Sequence, residues 1–356
     1  MYDDNDFLIL CLILPVVLGF ALYQFYNRQR KAQIKPGWIS IAAGNALLLV
    51  WLLSLLLLGG EIWFRYFCDR SDALSYTKLS QRWFERHFHN NSGQCRDDID
   101  YIPAITPGTR RLSFLGDSFT AGHGVKDVND RFANIIRSNN PTWEVHALAR
   151  PGFDTGTENK FLEVILTEGY QFDEVVLVYC LNDISDLYPE WMDAVKKINE
   201  AADGGTWWFR YSYFLNTLYF LNERRNNPSM KDYFSFIKEG YQGDKWQEQK
   251  ERLKRFHEII KANGGKLRVV TFPFMQNMGN DYDYSEAHKA LNAFWAEQAV
   301  PHLDLLPAFL KFSGKDLVVN PHDPHPNEKA HEVAAVEIEK FLNLPRTRSV
   351  EAKQGQ

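Results

Sequence analysis

Cysteine is scarce in this chain: four residues in 356 cannot make a disulfide scaffold. Cys11 lies in an apolar run and Cys180 in a strand-like one, which leaves Cys68 and Cys95 as the pair that a disulfide could join in an oxidising compartment. A net positive charge is also missing. The formal net charge is −5, so no nucleic acid partner is expected. Internal repeats and low-complexity tracts are absent, which excludes a solenoid or a disordered tail over most of the length. His322, Asp323, His325 and His331 lack consistent ligand spacing and are interrupted by prolines, so no metal and no cofactor is expected.

Apolar side chains, in contrast, are concentrated at the N-terminus. Residues 7–23 and 39–60 are nearly unbroken apolar runs, each close to the ~20 residues that cross a bilayer. Arg28, Arg30, Lys31 and Lys35 crowd the short stretch between them, while Asp3, Asp4 and Asp6 lead the chain. Two membrane spans with a cytoplasmic loop are therefore predicted for residues 1–62, with everything after Glu61 outside the cytoplasm. A cleaved signal peptide would need a basic leader and a small-residue cleavage site, and the first run has neither.

Residues 63–109 are polar and aromatic by turns and read as a membrane-proximal connector. From 110 to 343 the pattern alternates. Strands are predicted at 112–115, 144–148, 175–180, 267–272 and 302–306, and helices at 132–137, 158–167, 246–262, 284–298 and 327–342. That rhythm predicts an α/β domain with a parallel sheet and helices on both faces. Residues 185–245 interrupt it as an insertion, rich in aromatics from Trp207 to Leu221, which reads either as a packed helix or as a lid or membrane-facing ridge. A polar tail follows at 344–356.

Within the alternating region, Leu112 to Leu115 runs into Gly116-Asp117-Ser118, a strand ending in a turn that presents a serine. Ser118 is a candidate nucleophile. Phe119 and Thr120 follow it, so the glycine-flanked nucleophile elbow of the α/β-hydrolases is excluded. Near the other end, Asp323-Pro324-His325-Pro326-Asn327 supplies an imidazole and a carboxylate. A serine hydroxyl is a weak nucleophile until a neighbouring imidazole takes its proton, and the imidazole needs a carboxylate to fix its tautomer. In an open parallel sheet the loops at the strand carboxyl ends converge on one edge, so these distant groups can meet.

In four blocks the sequence resembles the SGNH, or GDSL, hydrolase superfamily: Gly116-Asp117-Ser118-Phe119, Gly152 within Ala149 to Asp154, Asn182-Asp183 after an apolar strand, and Asp323 to Asn327. The resemblance spans roughly residues 110 to 343. It implies a flavodoxin-like three-layer sandwich preceded here by two transmembrane helices. It also implies His325 as base, Asp323 as its orienter, and an oxyanion hole made by the backbone N–H groups of Ser118 and Gly152 and the amide of Asn182. Two positions depart from the family pattern: His322 stands three before the histidine, where many members have the acid, and Cys180 stands two before the asparagine, where a glycine is usual. Asp117, Asp183, Trp207 and Trp208 are expected at the substrate.

The function these readings imply is a membrane-anchored extracytoplasmic serine esterase. Its expected partner is an ester-bearing glycan, with O-acetyl groups of the cell envelope first and a lipid ester or lysophospholipid second. An O-acyltransferase using the same serine and a non-catalytic glycan-binding or assembly component are the alternatives.

Overall fold

In the computed structural model, which describes residues 4–33, 35–193, 196, 207–226, 228–279 and 282–344, each of the five apolar runs forms a strand. They are β1 (Arg110–Gly116), β2 (Trp143–Ala149), β3 (Glu174–Cys180), β4 (Lys266–Phe272) and β5 (His302–Asp304). All pair in parallel in the order β2-β1-β3-β4-β5. This is the flavodoxin-like order, whose switch point between β1 and β3 opens a crevice at the strand carboxyl ends. β3 is buried along its whole length, as a strand covered on both faces must be.

Side-chain direction shows the two covering layers. On one face Phe114 and Phe272 meet Phe132 of the helix Phe132–Asn139, which packs beside the last helix, Glu328–Leu342. On the other face the hydroxyl of Tyr179 meets Tyr241 and Gln249, and the helices Thr155–Thr167 and Gly243–Ala262 lie together. Local chemistry explains the differences from the expected boundaries. The helix expected from 158 begins at Thr155, because Asp154 caps it by accepting from the N–H of Thr157 at 2.8 Å. β5 stops two residues short, where Leu306 and Pro307 open a short helix.

The chain divides into two compact units. One holds Ser71–Leu74, Trp83–Val195 and Pro228–Gln356, and contains the sheet. The other holds Met1–Arg70, Ser75–Arg82 and Lys196–Asn227. Neither the single connector nor the insertion expected from the sequence survives as one block. Residues 83–109 belong with the sheet: buried Asp97 accepts from Arg131 and Arg137 of the neighbouring helical region at 3.0 and 2.5 Å. The aromatic stretch belongs with the long apolar helices.

Those helices are Asp4–Ala32 and Trp38–Ile62. Both are long and apolar enough to cross a membrane, and only 17% and 11% of their apolar windows are buried, unlike a core helix. Trp51 of the second donates its indole N–H to the carbonyl of Pro15 in the first at 3.0 Å. In the same unit the aromatic stretch splits into Trp207–Tyr211 and Tyr213–Asn226. The split falls at Ser212, whose hydroxyl accepts from the N–H of Leu215 at 3.0 Å and so caps the second helix. Buried Glu61 accepts from the Ser212 hydroxyl at 2.7 Å and from the N–H groups of Tyr213 and Phe214 at 3.2 Å. Its carboxylate thus lies where a helix start favours negative charge. From residue 345 the tail lies outside the described residues.

Candidate active site

β1 can end where it does only because residue 116 is glycine: a Cβ there would stand 2.8 Å from the carbonyl of Val178. Asp117 then caps a single helical turn, Ser118–Ala121, by accepting from the N–H of Phe119 at 2.9 Å. Read alone, Ser118 resembles an N-cap. In fact Asp117 is the cap and Ser118 is the first helical residue, with its hydroxyl within reach of both Asp117 and an imidazole.

The imidazole arrives on a hairpin. β6 (Val318–Asn320) pairs antiparallel with β7 (Asp323–Pro326), so the stretch expected as a loop is a short strand. Asn327 closes it by capping the last helix, accepting from the N–H of Ala330 at 3.0 Å. Strand geometry accounts for the unusual spacing of the acid. Residues two apart point to the same side, so Asp323 and His325 are both buried and meet. Nδ1 of His325 lies 2.5 Å from Oδ1 of Asp323, and Nε2 lies 2.8 Å from Oγ of Ser118. Since an ionised carboxylate only accepts, the proton sits on Nδ1 and Nε2 accepts from the serine hydroxyl.

Asp323 is fully buried. Burial alone would raise its pKa, but the imidazoles of His123 and His325 and the hydroxyl of Ser71 outweigh that and hold it well below the usual carboxylate range. His123 is missing from the sequence reading. Its ring stacks on His325 with centroids 4.0 Å apart and planes 9° from parallel. Burial first, and the neighbouring His325 second, bring its pKa down to about 3, so it is neutral at pH 7. The flanking Gly122 and Gly124 were a legible signal for it; Ser71 had none.

Ser118, Gly152 and Asn182 leave three neighbouring strands: Gly116 of β1 is in register with Ala149 of β2 and with Val178 of β3. Gly152 is exposed and has φ +82°, a conformation natural to glycine. The amide of Asn182 donates to Asp117 at 3.3 Å. Asp117 and Asp183, expected at the substrate, are both fully buried; Asp117 caps the turn and lies under the candidate site, with Oδ2 also 3.4 Å from Oγ of Ser118. Asp183 accepts from the N–H of Cys180 at 2.9 Å and closes the turn that follows β3. Trp207 and Trp208 lie against each other in the unit of the long helices, with ring centroids 3.7 Å apart and planes tilted by 30°.

His322 is exposed, whereas His331 points into the core, where its Nδ1 accepts from the N–H of Phe132 at 3.4 Å. These two therefore do not converge with His325. Among the described residues, His123, Asp323 and His325 are the group close enough to share a metal ion. A metal must lie in the plane of each imidazole that binds it, and two rings stacked face to face offer no common point. Cys68 and Cys95, the pair that a disulfide could have joined, are both free thiols. The thiol of Cys95 is buried and directed at the carbonyl of Gly93 at 3.6 Å.

No family model matches the chain, and no curated protein matches it. Solved structures do. A lipolytic protein of the G-D-S-L family from Veillonella parvula DSM 2008 is 12% identical with a TM-score of 0.42, covering 67% of this chain and 100% of that one. An acetylxylan esterase from Geobacillus stearothermophilus is 13% identical with a TM-score of 0.41, covering 68% and 100%. A psychrotrophic esterase from Pseudoalteromonas sp. is 14% identical with a TM-score of 0.40, covering 66% and 99%. Likeness at this level decides nothing about activity.

Proposed function

We propose that this protein is a membrane-anchored serine esterase of the SGNH type. The observation that carries the reading is the hydrogen-bonded series Ser118, His325, Asp323, assembled from residues 207 positions apart at the carboxyl edge of a parallel sheet. In the reaction, Oγ of Ser118 attacks the ester carbonyl as Nε2 of His325 takes its proton. That proton then passes to the departing alcohol, leaving an acyl-serine. Water attacks the acyl-serine in the same way, and the acid is released with the serine hydroxyl restored.

The N–H groups of Ser118 and Gly152 and the amide of Asn182 are the donors proposed for the oxyanion, which a preorganised site stabilises more than water does. The carboxylate of Asp323 holds the proton on Nδ1 and stabilises the imidazolium that forms. The substrate proposed is an O-acetylated glycan of the cell envelope. The anchor supports this choice: Arg28, Arg30, Lys31 and Lys35 between two helices long and apolar enough to cross a membrane favour a cytoplasmic loop, which would put the catalytic unit on the outer side.

Ser118→Ala is expected to abolish both cleavage of p-nitrophenyl acetate and labelling by a fluorophosphonate, with the thermal unfolding transition unchanged. A purified Ser118→Ala protein that still turns over the ester would exclude this mechanism.

A further inference from the structure

We propose that the four-residue segment Ser71–Leu74, a few residues beyond the second apolar helix, is a working part of the active site, and that Ser71 and His123 are positioning residues that fix Asp323. The inference rests on the esterase reading above. It concerns how the acid is held, which no step of that mechanism specifies.

A buried carboxylate must place both oxygens. Oδ1 of Asp323 takes Nδ1–H of His325 at 2.5 Å and the backbone N–H of His325 at 3.2 Å. Oδ2 accepts from the hydroxyl of Ser71, and Nε2 of His123 stands 3.5 Å from it. With both oxygens engaged, the carboxylate cannot rotate away from the imidazole. Ser71, Asp323 and His123 are 4%, 0% and 2% exposed, so water cannot take over these bonds.

The segment is itself held by the loops whose side chains it fixes. Asn320 donates its amide to the carbonyl of Ser71 at 3.0 Å, and the N–H of Ala73 donates to the carbonyl of His322 at 3.2 Å. His123 donates Nε2–H to the carbonyl of Asp72 at 2.9 Å. That bond sets the tautomer of His123 and holds the ring with Nε2 3.5 Å from Oδ2 of Asp323, in contact with the carboxylate but with its N–H given to the strap. The stretch after the nucleophile and the hairpin bearing the base are thus tied to one short strap. His123 also braces His325 directly: it stacks on one face of the base and packs edge-on against Phe84 with centroids 4.9 Å apart.

The test uses the full-length protein in detergent with p-nitrophenyl acetate. Ser71→Ala is expected to lower kcat about 10–100-fold, as loss of an outer partner of a reactive group does elsewhere, with KM within about twofold. Ser71→Thr, which keeps the hydroxyl, is expected to recover most of the rate. His123→Phe keeps a flat ring against His325 but removes the N–H, and should also lower kcat at constant KM. Rates are taken per folded molecule, with the folded fraction measured by thermal unfolding. Three results would overturn the proposal: Ser71→Ala at the wild-type kcat, Ser71→Thr as slow as Ser71→Ala, or a loss fully explained by the unfolded fraction. If Ser118→Ala retains activity, the esterase reading fails; if Ser118→Ala is inactive while Ser71→Ala is unaffected, the positioning role alone fails.

Discussion

Glu158 is 1% exposed, and neither of its carboxylate oxygens has a hydrogen-bond partner among the described residues. Burial first, and then the carboxylates of Asp117, Asp154 and Asp186, push its pKa well above the usual carboxylate range. Asp183 is raised for the same leading reason, with Glu158 and Asp117 as the next causes. Both acids are therefore biased toward the protonated form. A carboxyl with a raised folded-state pKa contributes its full stability below the unfolded value of about 4.3 and loses it as pH climbs toward the folded value. Glutamine has the shape of the protonated acid and does not titrate. Glu158→Gln is thus expected to gain stability relative to wild type between pH 5 and pH 8, with a slope of at most ~1.4 kcal/mol per pH unit, the limit for one proton. Thermal unfolding of both proteins across that range measures it; a constant difference would mean that Glu158 titrates alike in both states.

At the scale of elements, the turn Gly122-His123-Gly124 connects the helical turn Ser118–Ala121 to the loop that follows. Gly124 has φ +87°, and a Cβ there would lie 2.9 Å from Cγ1 of Val319 and 3.1 Å from Oδ2 of Asp323. Gly124→Ala therefore adds backbone strain and presses on Asp323 together. It is expected to cost more than ~1 kcal/mol in stability and to lower kcat beyond the loss of folded protein, by denaturant unfolding and steady-state kinetics. An alanine variant with wild-type stability and rate would mean that Val319 and the turn yield freely. The strands and most helices were legible because alternation and apolar runs are local properties of the chain. What escaped was set by single polar side chains: Asp154 starting its helix early, and Ser212 breaking an aromatic run that looked continuous. The hairpin β6–β7 escaped because its strands are only three and four residues long and contain two prolines.

At the scale of the molecule, the unit without the sheet gathers pieces from three parts of the chain around two long apolar helices. Membrane insertion with Arg28 to Lys35 inside predicts an orientation that can be read directly. In intact cells, a membrane-impermeant maleimide is expected to label a cysteine introduced at exposed Lys315 and to spare one at Lys31. Labelling at Lys31 alone would reverse the topology and remove the reason for choosing an envelope glycan.

Sequence by itself determined the strand and helix pattern, the two apolar spans and the candidates Ser118, Asp323 and His325, because periodicity, run length and chemical type are written along the chain. Tertiary structure decided which groups meet. It brought Ser71 to Asp323 across 252 positions, laid His123 on His325, and buried Asp117 and Asp183 away from solvent. The physical reason is that a hydrogen bond or a ring stack depends on distances of a few ångströms in space, and separation along the sequence carries no record of them.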